Sequence, residues 1–169
     1  MSNRVVMQHA LNSLSKRVGL DSLELNDKDE CYLVFDDKYH VRCSYIEKAD
    51  ECILYSIVGR VSKYHLNAYT KILADNFFWV GTAGSTLALE ELDDEDDELV
   101  LKEHIPMPVL DDQILYERVE DFVNAVEYWT TEYPKLETEE EVETVKSSKK
   151  EEEINNMDPK VKVKECNIM

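Results

Sequence analysis

The chain has 169 residues, 37 of them Asp or Glu against 19 Lys or Arg, for a formal net charge of −18. That length fits one domain with a real core. The charge argues against a phosphate backbone or an anionic lipid surface as partner, since both require clustered Lys and Arg, and favours solubility with basic or apolar partners.

Taken in chain order, Met7, Leu11, Leu14 and Val18 recur at helical spacing and predict an amphipathic helix over residues 3–18, with Gly19 as its left-handed C-terminal cap. Cys31, Leu33 and Phe35 alternate with Tyr32 and Val34, the two-residue period of a half-buried strand, and Asp36-Asp37 marks a turn. Val41, Cys43 and Tyr45 then alternate with His40, Arg42 and Ser44. Cys52–Val58 is nearly all apolar and predicts a strand covered on both faces. Gly59 ends it, and Ser62 is placed to cap a second helix. The short turns between these strands predict antiparallel pairing.

In the second helix Leu66, Tyr69, Leu73 and Phe77 lie on one stripe with Ile72 beside it, and Phe78 and Trp79 fall off that stripe. One helix face cannot hide three adjacent aromatics from water, so the surplus predicts a second surface. Gly81 and Gly84 bracket a tight connection into Thr86–Leu92, where Leu87 and Leu89 alternate with Thr86, Ala88 and Glu90. The acidic run Asp93–Glu98 reads as a turn, after which Leu99 and Leu101 resume the alternation until Pro106 and Pro108 end it. Leu115, Val119, Phe122, Val126 and Trp129 then mark the cleanest amphipathic helix, with Asp111 and Asp112 at its positive end and Pro134 as its stop. Beyond Pro134 the aromatics vanish, and residues 134–169 hold seven lysines and ten acids, leaving −15 on the first 133 residues. Such a composition cannot offset chain entropy and predicts a charged, disordered tail, with a transient helix over Glu139–Lys150. The expected architecture is α+β, in the order α-β-β-β-α-β-β-α: a five-stranded antiparallel sheet with three helices, built from residues 1–133.

No chemistry-bearing motif is present. His9, His40, His65 and His104 fit no metal-ligand spacing, and the chain has neither a Gly-rich phosphate loop nor a nucleophile elbow. Asp93, Glu95 and Asp97 resemble the start of a calcium loop, but its sixth position is Glu98 instead of Gly and its twelfth is His104 instead of Glu. Cys31, Cys43, Cys52 and Cys166 form no Cys-x-x-Cys pair, and the first three read as buried thiols of a reducing compartment. No apolar run reaches signal-peptide or membrane-spanning length. The expectation is therefore a cytoplasmic, non-enzymatic protein without cofactor, catalytic site or metal site.

The segments Asn76–Leu89 (NFFWVGTAGSTLAL), Leu99–Leu110 (LVLKEHIPMPVL) and Leu115–Trp129 (LYERVEDFVNAVEYW), following a small helix and three strands, resemble the Tir-chaperone (CesT-like) family of type III secretion. The resemblance covers roughly residues 3–133 and rests on order, size and acidity together. It implies a cytoplasmic bacterial chaperone that binds an extended segment near the N-terminus of one or more secreted effectors. The segment would be kept soluble and export-competent without ATP, and the secretion-apparatus ATPase is a further implied partner. It also implies a homodimer through the second helix and the strand after the Gly turn, placing Phe78, Trp79, Leu87 and Leu89 at the interface. The effector would then wrap the outer sheet and first helix, over Leu11, Leu14, Leu33, Phe35, Val41 and Tyr45. The alternative reading is a non-enzymatic regulatory module of similar fold. The long charged tail departs from the family pattern.

Overall fold

The structure, a computed structural model, describes residues 2–20, 22–62, 66–92 and 96–155, with side chains as far as residue 134. The first helix, α1, is Asn3–Val18, and its spacing puts Met7, Leu11 and Leu14 on one buried face. Gly19 takes φ 78° and donates its N–H to the Ser15 carbonyl, the cap that only a residue without Cβ accepts cheaply. Five strands follow: β1 (Glu30–Phe35), β2 (Tyr39–Ile46), β3 (Glu51–Ser62), β4 (Thr86–Glu90) and β5 (Asp96–Pro106). They form one antiparallel sheet in the order β1-β2-β3-β5-β4. Between β3 and β4 lies α2 (Leu66–Asn76), which runs into a 3-10 turn, Phe77–Thr82. The last helix, α3, begins at Asp112. One sheet face, carrying Leu33, Val41, Cys43, Leu54, Leu101 and Ile105, packs with α1 and α3 into a single core. Cys31, Cys43 and Cys52 are free and buried there. Cys43 and Cys52 lie with their sulfurs 3.5 Å apart, and that hydrogen bond together with burial pushes the Cys43 thiol well up.

Three expectations are corrected. First, β3 does not end at Gly59 but runs to Ser62 through an irregularity between Ile57 and Gly59. A Cβ at Gly59 would lie 2.6 Å from the Tyr133 ring, so the glycine lets α3 lie directly on the strand. Ser62 is accordingly a strand residue. Second, β3 is not covered on both faces, because Ile53 and Tyr55 are half-buried and Ile57 is exposed. Third, α3 does not stop at Pro134 but continues to Asn155. An internal proline removes one hydrogen bond at a local cost of about 3 kcal/mol, and the Glu- and Lys-rich residues that follow are good helix formers. Residues 156–169, the rest of the predicted tail, lie outside the described residues.

Asp111 caps α3, its Oδ1 accepting from the Gln113 and Ile114 N–H groups at 2.9 and 2.8 Å. One residue on, Asp112 is clasped by α1. The Ser13 hydroxyl donates to its Oδ2 at 2.6 Å, and His9 Nδ1 lies 3.0 Å from its Oδ1. Arg17, one turn further along, donates to Gln113 at 2.7 Å and stacks over Tyr116. The Ser13 hydrogen bond first, then His9, hold the Asp112 carboxyl below its ordinary value. A carboxylate with a depressed folded pKa contributes stability above its unfolded value, about 4, and loses it as pH falls through the folded value. The stability difference between wild type and Asp112→Asn, read by urea unfolding, should be constant near neutrality and shrink below about pH 4.

Candidate functional site

Of the six residues expected to contact a bound segment, five belong to the core. Leu11, Leu14, Leu33, Val41 and Tyr45 are between 0% and 7% exposed. Periodicity shows which face of an element is apolar but not what covers it, and here α1 and α3 cover that face. Phe35 is half-buried at the end of β1. Leu14 and Phe35 nevertheless meet at a cleft of about 190 Å³ between α1, β1 and α3, with Val18, Tyr116, Val119 and Val123 as its other apolar walls. Glu120 and Asn124 stand at the same cleft. Sequence reasoning missed Val123 because it lies beside the Leu115–Trp129 stripe; an apolar residue flanking a complete stripe is the signal that marks it.

A second apolar surface surrounds the 3-10 turn. Phe78 is 75% exposed and Trp79 52%. Both hold φ 54°, a left-handed conformation that costs a non-glycine residue about 1–3 kcal/mol. The Phe77 and Phe78 rings meet edge to face at 4.4 Å, and the Trp79 indole N–H donates to Thr86 Oγ1 at 3.1 Å. Of the α2 stripe, Tyr69 is partly buried against the core and the rest points outward. Leu66, Leu73 and Phe77 are exposed, and it is Ala68 and Ile72 that pack inward. Val80 extends the same patch. Of the two strand residues expected here, Leu89 is at the margin of exposure and Leu87 is buried.

The sheet face away from α1 and α3 carries one cross-strand row, Tyr32, Arg42, Tyr55, Lys102 and Thr86, touching all five strands. The Arg42 guanidinium lies 4.2 Å over the Tyr55 ring, and the Tyr55 hydroxyl donates to Glu90 at 2.5 Å. Desolvation and the Glu90 carboxylate push that phenol up, so it stays neutral. Under the Gly turn, Glu103 is buried with Arg118 Nη1 at 2.9 Å. Burial raises its carboxyl while Arg118 offsets part of the effect. No group of three or more His, Cys, Asp or Glu among the described residues is placed to hold a metal ion. No described helix is long and apolar enough to cross a membrane. What the geometry offers is apolar clefts and faces suited to binding.

The model of the Tir chaperone protein (CesT) family matches residues 9–130. The chain belongs to that family. Solved structures agree in fold. A chain of the HopA1–SchA chaperone–effector complex superposes with a TM-score of 0.63 at 16% identity, over 76% of this chain and 95% of that one. A chain of the ExsC–ExsE complex gives 0.64 at 17%, over 78% and 96%. A chain of the Yersinia pestis type III secretion chaperone SycH, in complex with a fragment of YscM2, gives 0.56 at 19%, over 72% and 98%. No curated protein sequence matches the chain. Family membership accounts for the matched core, and the residues after 130 lie outside the family model.

Core and cleft positions should separate on substitution. Leu33→Asp and Leu11→Asp bury an unpaired charge and should unfold the domain, read as loss of far-UV circular dichroism. Val18→Glu and Val123→Glu, at the cleft, should change stability by less than about 1 kcal/mol.

Proposed function

We propose that the chain is a type III secretion chaperone that binds an extended segment near the N-terminus of a secreted effector and keeps it export-competent. It acts as a binding module in the bacterial cytosol, without catalysis and without ATP. The observation that carries this reading is the α1–β1–α3 cleft, whose apolar walls Val18, Phe35, Tyr116 and Val123 sit in a domain of the chaperone family. The structures it resembles include a chaperone–effector complex and a secretion chaperone bound to a fragment of another protein. An effector side chain of Leu or Phe size buried there contributes roughly 1.5–3 kcal/mol, so a few such anchors offset the ordering of a flexible segment.

The exposed stripe of α2 with Phe77–Val80 is the surface on which two copies join. Strained, exposed aromatics are costly in water, and an isologous contact buries them against their own copies. The net charge of −18 keeps the protein soluble until that contact forms. Tyr133 is the last buried side chain among those described, and the segment beyond it is charged, which supports a boundary there.

Three measurements test this reading. Val18→Glu with Val123→Glu should weaken effector binding roughly 10- to 100-fold per lost anchor at unchanged circular dichroism; undiminished affinity places the effector elsewhere. Phe78→Asp with Trp79→Asp should yield monomers by light scattering, and a wild type sedimenting as a monomer at micromolar concentration removes the dimer. Limited proteolysis should trim the C-terminal segment and leave a folded fragment of about 133 residues. Strong amide protection across Glu139–Lys150 would move that boundary.

A further inference from the structure

The sheet ends in two edge strands, β1 and β4, and the two edges are finished differently. On β4 the Leu87 N–H donates to Asn76 Oδ1 at 2.9 Å, and the Leu87 carbonyl accepts from Asn76 Nδ2, also at 2.9 Å. An N–H given to a side chain is not given to β5. Leu87 therefore turns both main-chain groups outward, and the alternation of an antiparallel ladder gives Leu89 the same orientation. A carboxamide holds one acceptor and one pair of donors in a plane. The Asn76 side chain thus reproduces the two bonds that a residue of an added strand would make.

Asn76 is the last residue of α2, directly before the 3-10 turn, and the Trp79 indole of that turn closes on Thr86, one position from Leu87. That edge is five residues long and lies beside the 3-10 turn, whose Phe78 and Val80 are the most exposed large apolar side chains among the described residues. A bare edge beside such a patch is a template for sheet-to-sheet association.

On β1 the Glu30 N–H donates to Asn26 Oδ1 at 3.0 Å and its carbonyl accepts from the Asn26 N–H at 2.9 Å, so Glu30 faces outward and is closed. By the same alternation Tyr32 and Val34 also face outward, and no side chain or loop among the described residues bonds their outward main-chain groups.

We infer that Asn76 guards the β4 edge against strand addition. A second copy therefore meets this side of the molecule through side chains. This holds for the chain by itself and does not depend on the identity of an effector.

Residue-resolved amide exchange and mass, measured on the full chain, test it. In the wild type the Leu87 amide should exchange about tenfold or more slowly than the Leu89 amide, because among the described residues only the Leu87 N–H has a partner. Equal rates overturn the guard, whether both are open or both are paired through an extended sheet. Asn76→Ala removes both bonds. At low micromolar concentration its Leu87 amide should exchange about tenfold faster than wild type; at several hundred micromolar it should regain protection while the mass by light scattering rises. Asn76→Asp keeps the acceptor for the Leu87 N–H and places a charge on the edge, so it should hold the wild-type mass. An Asn76→Ala chain that keeps the wild-type mass at every concentration overturns the inference. If Asn76→Ala does not fold, the wild-type comparison decides alone.

Discussion

The structure depends on the packing of α3 across the sheet. Trp129 is buried at its centre and donates its indole N–H to the Gly81 carbonyl at 3.1 Å, which ties the Gly turn to the core. One turn further on, Tyr133 lies against Gly59 and fixes where β3 departs from regular pairing. At the other end Asp112 is held by Ser13 and His9, so α1 is positioned by the same helix. Arg118, midway, meets the buried Glu103 of β5. Each is a local contact, and together they mean that α3 places the first helix, the turn and the sheet relative to one another.

The surfaces available for binding are what α3 leaves uncovered. It cannot fill the space between α1 and the end of β1, and Val18, Phe35 and Val123 line the resulting cleft. Of α2, Ala68 and Ile72 are buried and Tyr69 is partly buried against the core, which leaves Leu66 and Leu73 of that helix facing out. A monomer exposing so many large apolar side chains would be poorly soluble without charge to oppose association. The excess of acids thus has a physical part in the design, although acidity alone identifies no function.

The elements and their order were legible because helical and strand periods are strong where one face is buried and the other solvated. The 4-3-4 spacing of Met7, Leu11, Leu14 and Val18 and the alternation of Cys31, Leu33 and Phe35 leave little ambiguity. Four features were not legible. α2 is apolar on several sides, so its stripe does not say which side is inside; Leu66, Leu73 and Phe77 face out, and Ile72 beside them is buried. Gly59 reads as a stop until the Tyr133 ring is seen against it. The same apolar residues that mark a binding face in a small domain also mark its core, and for Leu11, Leu33, Val41 and Tyr45 the core was the answer. Asn76 carries no sequence signal at all, because its role appears only once β4 is an edge.

In the proposed complex an effector segment lies extended in the cleft between α1, β1 and α3. The most direct measurement is site-specific photo-crosslinking in the secreting bacterium, with a benzophenone side chain at Val123 in the cleft and, separately, at Lys102 on the opposite sheet face. Position 123 should capture one secreted protein, with the crosslinks mapping to a short run near its N-terminus. Crosslinks to that protein from position 102 and none from position 123, or crosslinks from position 123 that map to a folded domain of the captured protein, would contradict that placement.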